Sequence, residues 1–149
     1  MRRYAVVSLP RSVALLAVAL AALGAAASEL TVPDHGVGTN VVDRELEGRS
    51  ERFDEGTQVW FWTRVVGAEP GDGIRHVWLQ GGRERLTVEL GVDGSPWRTY
   101  STKTLHPGSV GSWAVEARDR DGQVLARQAF ECDPRPTASA PPKREGAGD

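Results

Sequence analysis

The sequence predicts an all-β fold, namely an antiparallel immunoglobulin-like β-sandwich of about seven strands after an N-terminal signal-peptide helix. Apolar and polar residues alternate with period two over short runs, which is typical of half-buried strands. Turn segments rich in Gly, Pro and Asp separate these runs. Beyond residue 28, Gly and Pro interrupt every window long enough to show the period of a helix. A small open barrel is the alternative architecture.

The predicted strands follow one another closely along the chain. They cover residues 37–46, 57–66, 73–80, 83–92, 96–105, 111–119 and 123–131. The pattern is clearest in residues 83–92, where Leu86, Val88 and Leu90 alternate with polar residues. One side of such a strand faces a core and the other faces water.

Two of the connections carry strong turn signals. The pairs Gly81-Gly82 and Asp121-Gly122 each predict a hairpin with two central residues. A polar connection follows the first predicted strand, and we expect its one large apolar residue, Phe53, to lie beneath it.

The chain divides into a leader, one domain and a tail. Residues 1–27 resemble a secretory signal peptide, because arginines precede an apolar run and small residues follow it. The apolar run is shorter than the roughly 20 residues that span a bilayer, so we expect cleavage, with an uncleaved membrane anchor as the alternative. Residues 28–36 are predicted to be a mobile lead-in, and residues 37–132 a single β-domain. Residues 133–149 are rich in Pro, Ala and Gly and are predicted to be disordered.

The charge of the exported chain argues against a nucleic-acid partner. Residues 1–27 contain three of the 18 basic residues and none of the 20 acidic ones, so the remainder has a net charge of −5. A nucleic-acid-binding domain shows a basic face. No later segment is continuously apolar, so we expect no stable membrane span in the mature chain. The leader and the excess of arginine over lysine, which fits a bacterial coding bias, favour the periplasm over secretion to the medium.

Residue types that support catalysis or metal binding do not form a recognisable pattern. His35, His76, His106 and the one cysteine, Cys132, are not spaced to meet on one strand face or helix turn. Residues 119–123 begin like a calcium loop, but the glutamate required downstream is missing, so we prefer a turn. No serine has a recognisable base or nucleophile motif beside it. We therefore expect no enzyme activity, metal or cofactor, and a buried Cys132.

Five tryptophans are the most informative feature of the domain. Trp60 and Trp62 share one side of a strand whose other side is also apolar, so they need a cover. A loop around Phe53, a protein partner or a sugar would supply it. His76 and Trp78 share a side that we place outside the main core, because Val77 and Leu79 occupy the other side.

The neighbours Trp97 and Arg98 are separated by strand alternation. We expect Trp97 to be buried against the sandwich and Arg98 to lie on the opposite side, paired with a carboxylate. Trp113 is expected in the core because it shares a side with Val115 and Ala117. The candidate binding residues are Trp60, Trp62, His76, Trp78, Trp97 and Arg98.

Four short motifs occur in order along the domain: "VVDRE" (41–45), "HVW" (76–78), "WRTYSTK" (97–103) and "GSWAVEARDRDGQVLARQAF" (111–130). In this combination the chain resembles a family of bacterial exported or membrane-tethered domains known as domain of unknown function 2914. The resemblance implies a β-rich accessory domain. It implies no catalytic residue.

Two functions fit these observations. The first is a non-catalytic exported module that binds a protein partner in the cell envelope, because aromatic residues and arginine dominate such interfaces. The second is a carbohydrate-binding or glycan-binding module, in which indole rings stack on sugars and polar side chains bind hydroxyl groups.

Overall fold

The structure is a computed structural model that describes residues 29–137, and within them it is all-β, with ten strands and no helix. The predicted all-β class is thus confirmed, although ten strands are present where about seven were predicted. The predicted signal peptide and most of the predicted tail lie outside the described residues. Across residues 29–137 we find no helix of the length and apolar character needed to cross a membrane. The strands are β1 (Thr31–Gly38), β2 (Asn40–Val42), β3 (Glu45–Glu47), β4 (Arg52–Asp54), β5 (Gln58–Val66), β6 (Asp72–Gln80), β7 (Arg83–Val92), β8 (Trp97–Thr104), β9 (Gly111–Arg118) and β10 (Val124–Asp133).

The strands are arranged in three sheets. A three-stranded antiparallel sheet has the order β1-β5-β8. A five-stranded sheet has the order β4-β10-β9-β6-β7, in which β4 runs parallel to β10 and the other neighbours are antiparallel. The short strands β2 and β3 form a separate hairpin.

The three-stranded and five-stranded sheets face each other across one hydrophobic core. Phe61 and Val65 enter it from β5, and Trp78 and Phe130 enter it from the five-stranded sheet. The rings of Phe61 and Trp78 meet edge to face, with centroids 6.3 Å apart. Each large side chain buried in this way stabilises the fold by roughly 1.5–3 kcal/mol. Burial therefore holds together a domain whose cysteine, Cys132, is free.

Strand β1 begins inside the segment that was predicted to be a mobile lead-in. Residues 31–36 belong to β1 and pair with β5, so that prediction is wrong for them. Val32 and Val37 are buried in the core. A strand with an apolar side gains this burial together with a row of backbone hydrogen bonds.

The predicted first strand, residues 37–46, is divided among the end of β1, β2 and the start of β3. Asp43 and Arg44 turn the chain between β2 and β3, so a short hairpin replaces one long strand. The connection that follows contains β4. Its Phe53 is buried as predicted, but it packs against Phe130 in the main core, with ring centroids 5.6 Å apart.

The two predicted tight turns have different outcomes. Gly81 and Gly82 have φ angles of 54° and 78° and join β6 to β7, which confirms the two-residue hairpin. In the other turn only Gly122 has a positive φ, at 91°, and its amide donates to the carbonyl of Asp119. The hairpin between β9 and β10 is present, but Gly122 is the last residue of its turn, so the prediction that Asp121 and Gly122 are the two central residues is wrong.

Candidate functional site

The side of the three-stranded sheet that faces away from the core carries the aromatic pair of β5. Phe61 points into the core, so its neighbours Trp60 and Trp62 point outward. The residues opposite them on β8 are Thr102 and Tyr100, respectively. We call this surface the outer face.

The β2–β3 hairpin lies on the outer face and covers Trp62, which is 1% exposed. The Trp62 indole Nε1 donates a hydrogen bond of 2.8 Å to the carbonyl of Arg44. The hairpin approaches β1 closely at Gly38, where a Cβ would lie 2.3 Å from a backbone oxygen of β3 and 3.0 Å from Leu46. The cover that Trp62 requires is therefore this hairpin, and not the segment around Phe53.

The turn of this hairpin has an uncommon backbone conformation. Its central residues, Asp43 and Arg44, have φ angles of 49° and 67°. Glycine and asparagine adopt this left-handed conformation more readily than arginine does, for which it costs roughly 1–2 kcal/mol. The conformation lets the carbonyl of Arg44 reach Trp62. Left-handed residues of this kind are concentrated at functional sites.

Beyond the hairpin, Trp60 and Tyr100 form an aromatic pair. Their ring centroids are 4.8 Å apart and their planes are tilted by 44°. Tyr100 is 48% exposed. The aromatic surface is thus covered by the hairpin at Trp62 and exposed to solvent at Tyr100.

Two adjoining depressions lie between the hairpin and β8. One has a volume of about 240 Å³ and is lined by Val41, Arg44, Trp62, Arg98 and Tyr100. The other has a volume of about 230 Å³ and is lined by Arg44, Pro96, Trp97 and Arg98. We call them together the arginine groove, because Arg44 and Arg98 line both. Aromatic, aliphatic and guanidinium groups converge there, as they do in ligand sites.

The arginine groove carries positive charge that its own lining does not neutralise. Among the described residues that line it there is no carboxylate. Arg98 Nε lies 3.2 Å from Glu45 Oε1 at the rim. The guanidinium of Arg44 has no ion-pair partner within residues 29–137. The groove therefore has one paired and one unpaired arginine.

Two further arginines lie on the outer face beside the groove. Arg64 is opposite Arg98 in the pairing of β5 with β8, and it forms no ion pair with another described residue. The guanidinium carbon of Arg49 lies over the ring of Trp62, 5.8 Å from its centroid. Arg49 Nη2 lies 3.9 Å from Asp34 Oδ1. The positive region thus extends beyond the groove.

The prediction that His76 and Trp78 lie outside the core is wrong. Both have an exposure of 0% and project between the two sheets. His76 Nδ1 is 2.9 Å from Ser101 Oγ, and its Nε2 is 3.2 Å from Thr63 Oγ1. Trp78 Nε1 donates to the same Ser101 oxygen at 3.1 Å. Burial lowers the pKa of His76 to about 3, so the ring is neutral at physiological pH.

The neutral Nε2–H tautomer of His76 satisfies every member of this cluster. Trp78 donates to Ser101, the Ser101 hydroxyl donates to Nδ1, and Nε2–H donates to Thr63. The Thr63 hydroxyl in turn donates to the carbonyl of Thr99 at 3.4 Å. The cluster leaves no donor free for a ligand. We call it the histidine cluster.

The pairing of β6 with β9 explains why the sides of β6 differ from the prediction. Trp78 lies opposite Val115, and His76 lies opposite Ala117. Residues directly opposite each other share a side of the sheet, and these two residues of β9 belong to the main core. His76 and Trp78 therefore face the core, and Val77 faces the other side.

The far side of the five-stranded sheet is a second charged surface. Val77 and Leu79, predicted to face the main core, form a separate buried cluster there with an alanine of β9. Beside them Glu116 is 5% exposed and forms ion pairs with Arg127 and, at 2.7 Å, with Arg118. Its arginines are neutralised, in contrast to those of the arginine groove.

The predicted placements of Trp97 and Arg98 are confirmed. Trp97 is half-buried and packs against the core, while Arg98 points to the outer face and pairs with Glu45. Trp113, predicted to be a core residue, is buried and stacks on Phe130 with ring centroids 6.1 Å apart.

The structure brings three of the six candidate residues to one surface. Trp60, Trp62 and Arg98 lie on the outer face, and Trp97, which packs against the core, lines only the end of the arginine groove. His76 and Trp78 are enclosed. Sequence reasoning missed Arg44 and Tyr100 as groove residues. The "VVDRE" motif was an available signal for Arg44, whereas Tyr100 could be found only from the pairing of β8 with β5.

The described residues contain no recognisable metal site and no exposed thiol. Within residues 29–137 no group of three possible metal ligands occurs. In the turn after β9, Asp119 Oδ1 accepts a hydrogen bond of 2.8 Å from the amide of Gln123. Cys132 is buried as predicted, and burial raises the pKa of its thiol.

A match to a protein family covers β8 and most of the five-stranded sheet. Residues 72–132 match the model of the family described as Protein of unknown function (DUF2914). No curated protein matches the chain. Three of the four motifs noted in the sequence lie inside the matched range, and "VVDRE" precedes it. The match over residues 72–132 supports the assignment of this chain to the DUF2914 family, which its motifs predicted.

Proposed function

We propose that this protein is a non-catalytic, exported binding module that recognises a protein partner in the cell envelope through its outer face. The observation that carries the proposal is the arginine groove beside Tyr100, where an exposed ring and an unpaired guanidinium lie together. Tyr, Trp and Arg are the residues that most often supply the binding energy of protein interfaces.

The proposed architecture is an immunoglobulin-like sandwich. Its support is a pair of mainly antiparallel sheets that share one core, which is the arrangement of that class. Binding surfaces on such scaffolds are positioned by rigid strands. Arg98 and Tyr100 both project from β8, which makes their spacing a property of the sheet.

A binding role agrees better with the histidine cluster than catalysis does. Within residues 29–137, the one hydrogen bond between a serine and a histidine side chain joins Ser101 and His76, which are 5% and 0% exposed. A nucleophile and its base must be within reach of a substrate. We therefore assign the cluster to the scaffold and propose no enzyme activity, metal or cofactor.

Glycan binding is the second candidate, because an exposed aromatic ring next to guanidinium groups suits an acidic sugar. We rank glycan binding second because the ring planes of Trp60 and Tyr100 are tilted by 44° relative to each other. Two rings that are not coplanar form a smaller stacking platform for a sugar, whereas side chains of a protein partner fill an irregular surface more easily.

Site-specific photo-crosslinking in living cells tests the proposed function. A photoreactive phenylalanine analogue replaces Tyr100 in one strain and Val124, which is 46% exposed on β10, in the control strain. We expect a discrete protein adduct from position 100 that is absent from position 124. The proposal fails if both positions give the same adducts or if position 100 gives none.

Export to the periplasm is proposed from the leader pattern of residues 1–27. Cell fractionation and N-terminal sequencing of the isolated protein test it. We expect a periplasmic protein whose N-terminus lies near residue 28. An intact leader in the membrane fraction would instead support the anchored alternative.

A further inference from the structure

We propose that the partner supplies an extended acidic peptide segment, which adds as a strand to the free edge of β8 and lays its side chains into the arginine groove. This inference rests on the proposed function and specifies its ligand. Three features of the described residues carry it: the charge of the groove, the position of β8 and the spacing of the groove residues.

The charge of the groove selects an anionic ligand. Arg44 and Arg98 line both depressions, and no carboxylate lines either one. The chain as a whole has a net charge of −2, so this positive surface stands out against an acidic molecule. Interfaces are arranged so that a positive patch meets a negative one. Carboxylates are the groups that a guanidinium binds with two parallel hydrogen bonds.

The edge of the sheet selects an extended peptide. β8 is the last strand of the order β1-β5-β8, and no other described strand pairs with its second edge. Such an edge presents unpaired N–H and C=O groups that can accept another strand. The arginine groove runs along this strand, because Pro96, Trp97, Arg98 and Tyr100 all line it.

The spacing of the groove residues predicts the pattern of the peptide. Arg98 and Tyr100 are two residues apart on β8 and point to the same side. A strand paired with β8 also places every second side chain on that side. An acidic side chain would lie at Arg98 and Arg44, and an apolar one two positions away would lie against Tyr100 and Val41. The expected motif is acidic, any residue, apolar, in either direction.

A second copy of this chain is a less suitable occupant. Pairing of two β8 strands would bring a second Arg98, with Arg64 beside it, close to the first pair. Like charges at that distance destabilise a cross-strand pair. Of these guanidinium groups, only those of Arg98 have a carboxylate partner in the described residues, namely Glu45.

Selection from a library of random peptides displayed on phage tests the inference. The isolated protein is the bait, and the matched variants are Arg98→Gln, Arg44→Gln and, as the control, Arg85→Gln. Arg85 is an exposed arginine on β7 that forms no ion pair with a described residue. All three variants remove one positive charge, and urea unfolding of each verifies that it is folded.

We expect selected peptides to be enriched in an acidic residue two positions from an apolar one. A synthetic copy should bind Arg98→Gln and Arg44→Gln about tenfold more weakly than the parent protein, and Arg85→Gln with unchanged affinity. Backbone N-methylation of the middle and last residues of the motif, one at a time, should weaken binding about tenfold at one of the two, because successive N–H groups of a strand point to opposite edges. Binding should weaken as salt is added.

Other outcomes overturn the inference in distinguishable ways. Neutral or basic selected peptides exclude the acidic ligand, and unchanged affinity of both N-methylated peptides excludes strand addition. Binding of polygalacturonate that is lost in Arg98→Gln, without peptide binding, would favour the glycan alternative. If crosslinking at position 100 captures a protein while acidic peptides fail, the proposed function stands and this inference falls.

Discussion

Tyr100 and Ser101 are neighbours on β8, and they belong to surfaces with opposite properties. Ser101 points inward to the histidine cluster, where its hydroxyl contacts both His76 and Trp78. Tyr100 points outward, is 48% exposed and borders the arginine groove. The two surfaces contain similar kinds of side chain, namely aromatic rings, hydroxyl groups and nitrogen-containing polar groups.

The difference between them lies in whether the polar groups have partners. Inside, each donor of the histidine cluster has an acceptor, so the cluster specifies how the sheets pack and has no capacity for a ligand. Outside, the guanidinium of Arg44 is unpaired in the described part of the chain. The scaffold and the candidate site therefore differ in whether their polar side chains have hydrogen-bond or ion-pair partners, and not in residue type.

The largest expected effect is that of Trp78→Ala. Removal of this fully buried ring leaves a cavity between the sheets and takes a hydrogen-bond donor from Ser101. We expect the free energy of unfolding to fall by roughly 4 kcal/mol. Urea denaturation at neutral pH measures it.

The matched control is Tyr100→Ala on the outer face. We expect it to cost less than about 1 kcal/mol, because the ring is about half exposed. Similar losses for the two variants would contradict the division of β8 into a scaffold side and a binding side.

The second prediction concerns the pH dependence of stability. The pKa of His76 is about 3 in the folded protein and about 6.5 in the unfolded chain. Between these values the unfolded state binds a proton that the folded state does not, so stability falls as pH falls below 6.5. The expected loss is about 1.4 kcal/mol per pH unit, or roughly 3 kcal/mol between pH 6.5 and pH 4.

Urea titrations at several pH values separate this contribution from that of other groups. His76→Gln lacks the titrating ring and should have a correspondingly smaller slope over this range. His106→Gln replaces an exposed histidine and should keep the slope of the parent protein. An unchanged slope in His76→Gln would show that His76 is not the group responsible.

Local alternation predicted much of the fold, because it depends on neighbours in the chain. The all-β class, the glycine hairpin after β6, the opposite sides of Trp97 and Arg98, and the burial of Trp113 all follow from it. It failed for His76 and Trp78, because β6 has apolar residues on both sides, and its pairing with the core residues of β9 decides which side faces the core.

The candidate site was harder to predict, because it is assembled from distant segments. The groove joins Arg44 in the hairpin turn to Tyr100 on β8, and no local pattern links the two. The alternation around Trp60 and Trp62 showed only that a cover was needed. Its identity depended on the division of the predicted first strand into a hairpin, which requires the left-handed residues Asp43 and Arg44.

A smaller effect is expected from Arg44→Gly, which should raise stability while it weakens binding. Glycine adopts the φ of 67° without the steric cost that arginine bears, and it keeps the carbonyl that accepts the hydrogen bond from Trp62. We expect a gain of up to about 1 kcal/mol. Arg44→Ala is the control, because it removes the guanidinium and keeps the strain. Equal stability of the two variants would show that the backbone strain is negligible.

The smallest effect on stability is expected from Glu45→Gln at the rim of the groove. Its ion pair with Arg98 is exposed to solvent, and such pairs contribute about 0–1 kcal/mol. Removal of the carboxylate should nevertheless free Arg98 and raise the affinity for an acidic peptide by about threefold at low salt. Glu84→Gln is the matched control, because it breaks the ion pair with Arg118 on the other sheet. A gain that is the same in both variants would reflect the net charge of the molecule, whereas a gain confined to Glu45→Gln would place the peptide at Arg98.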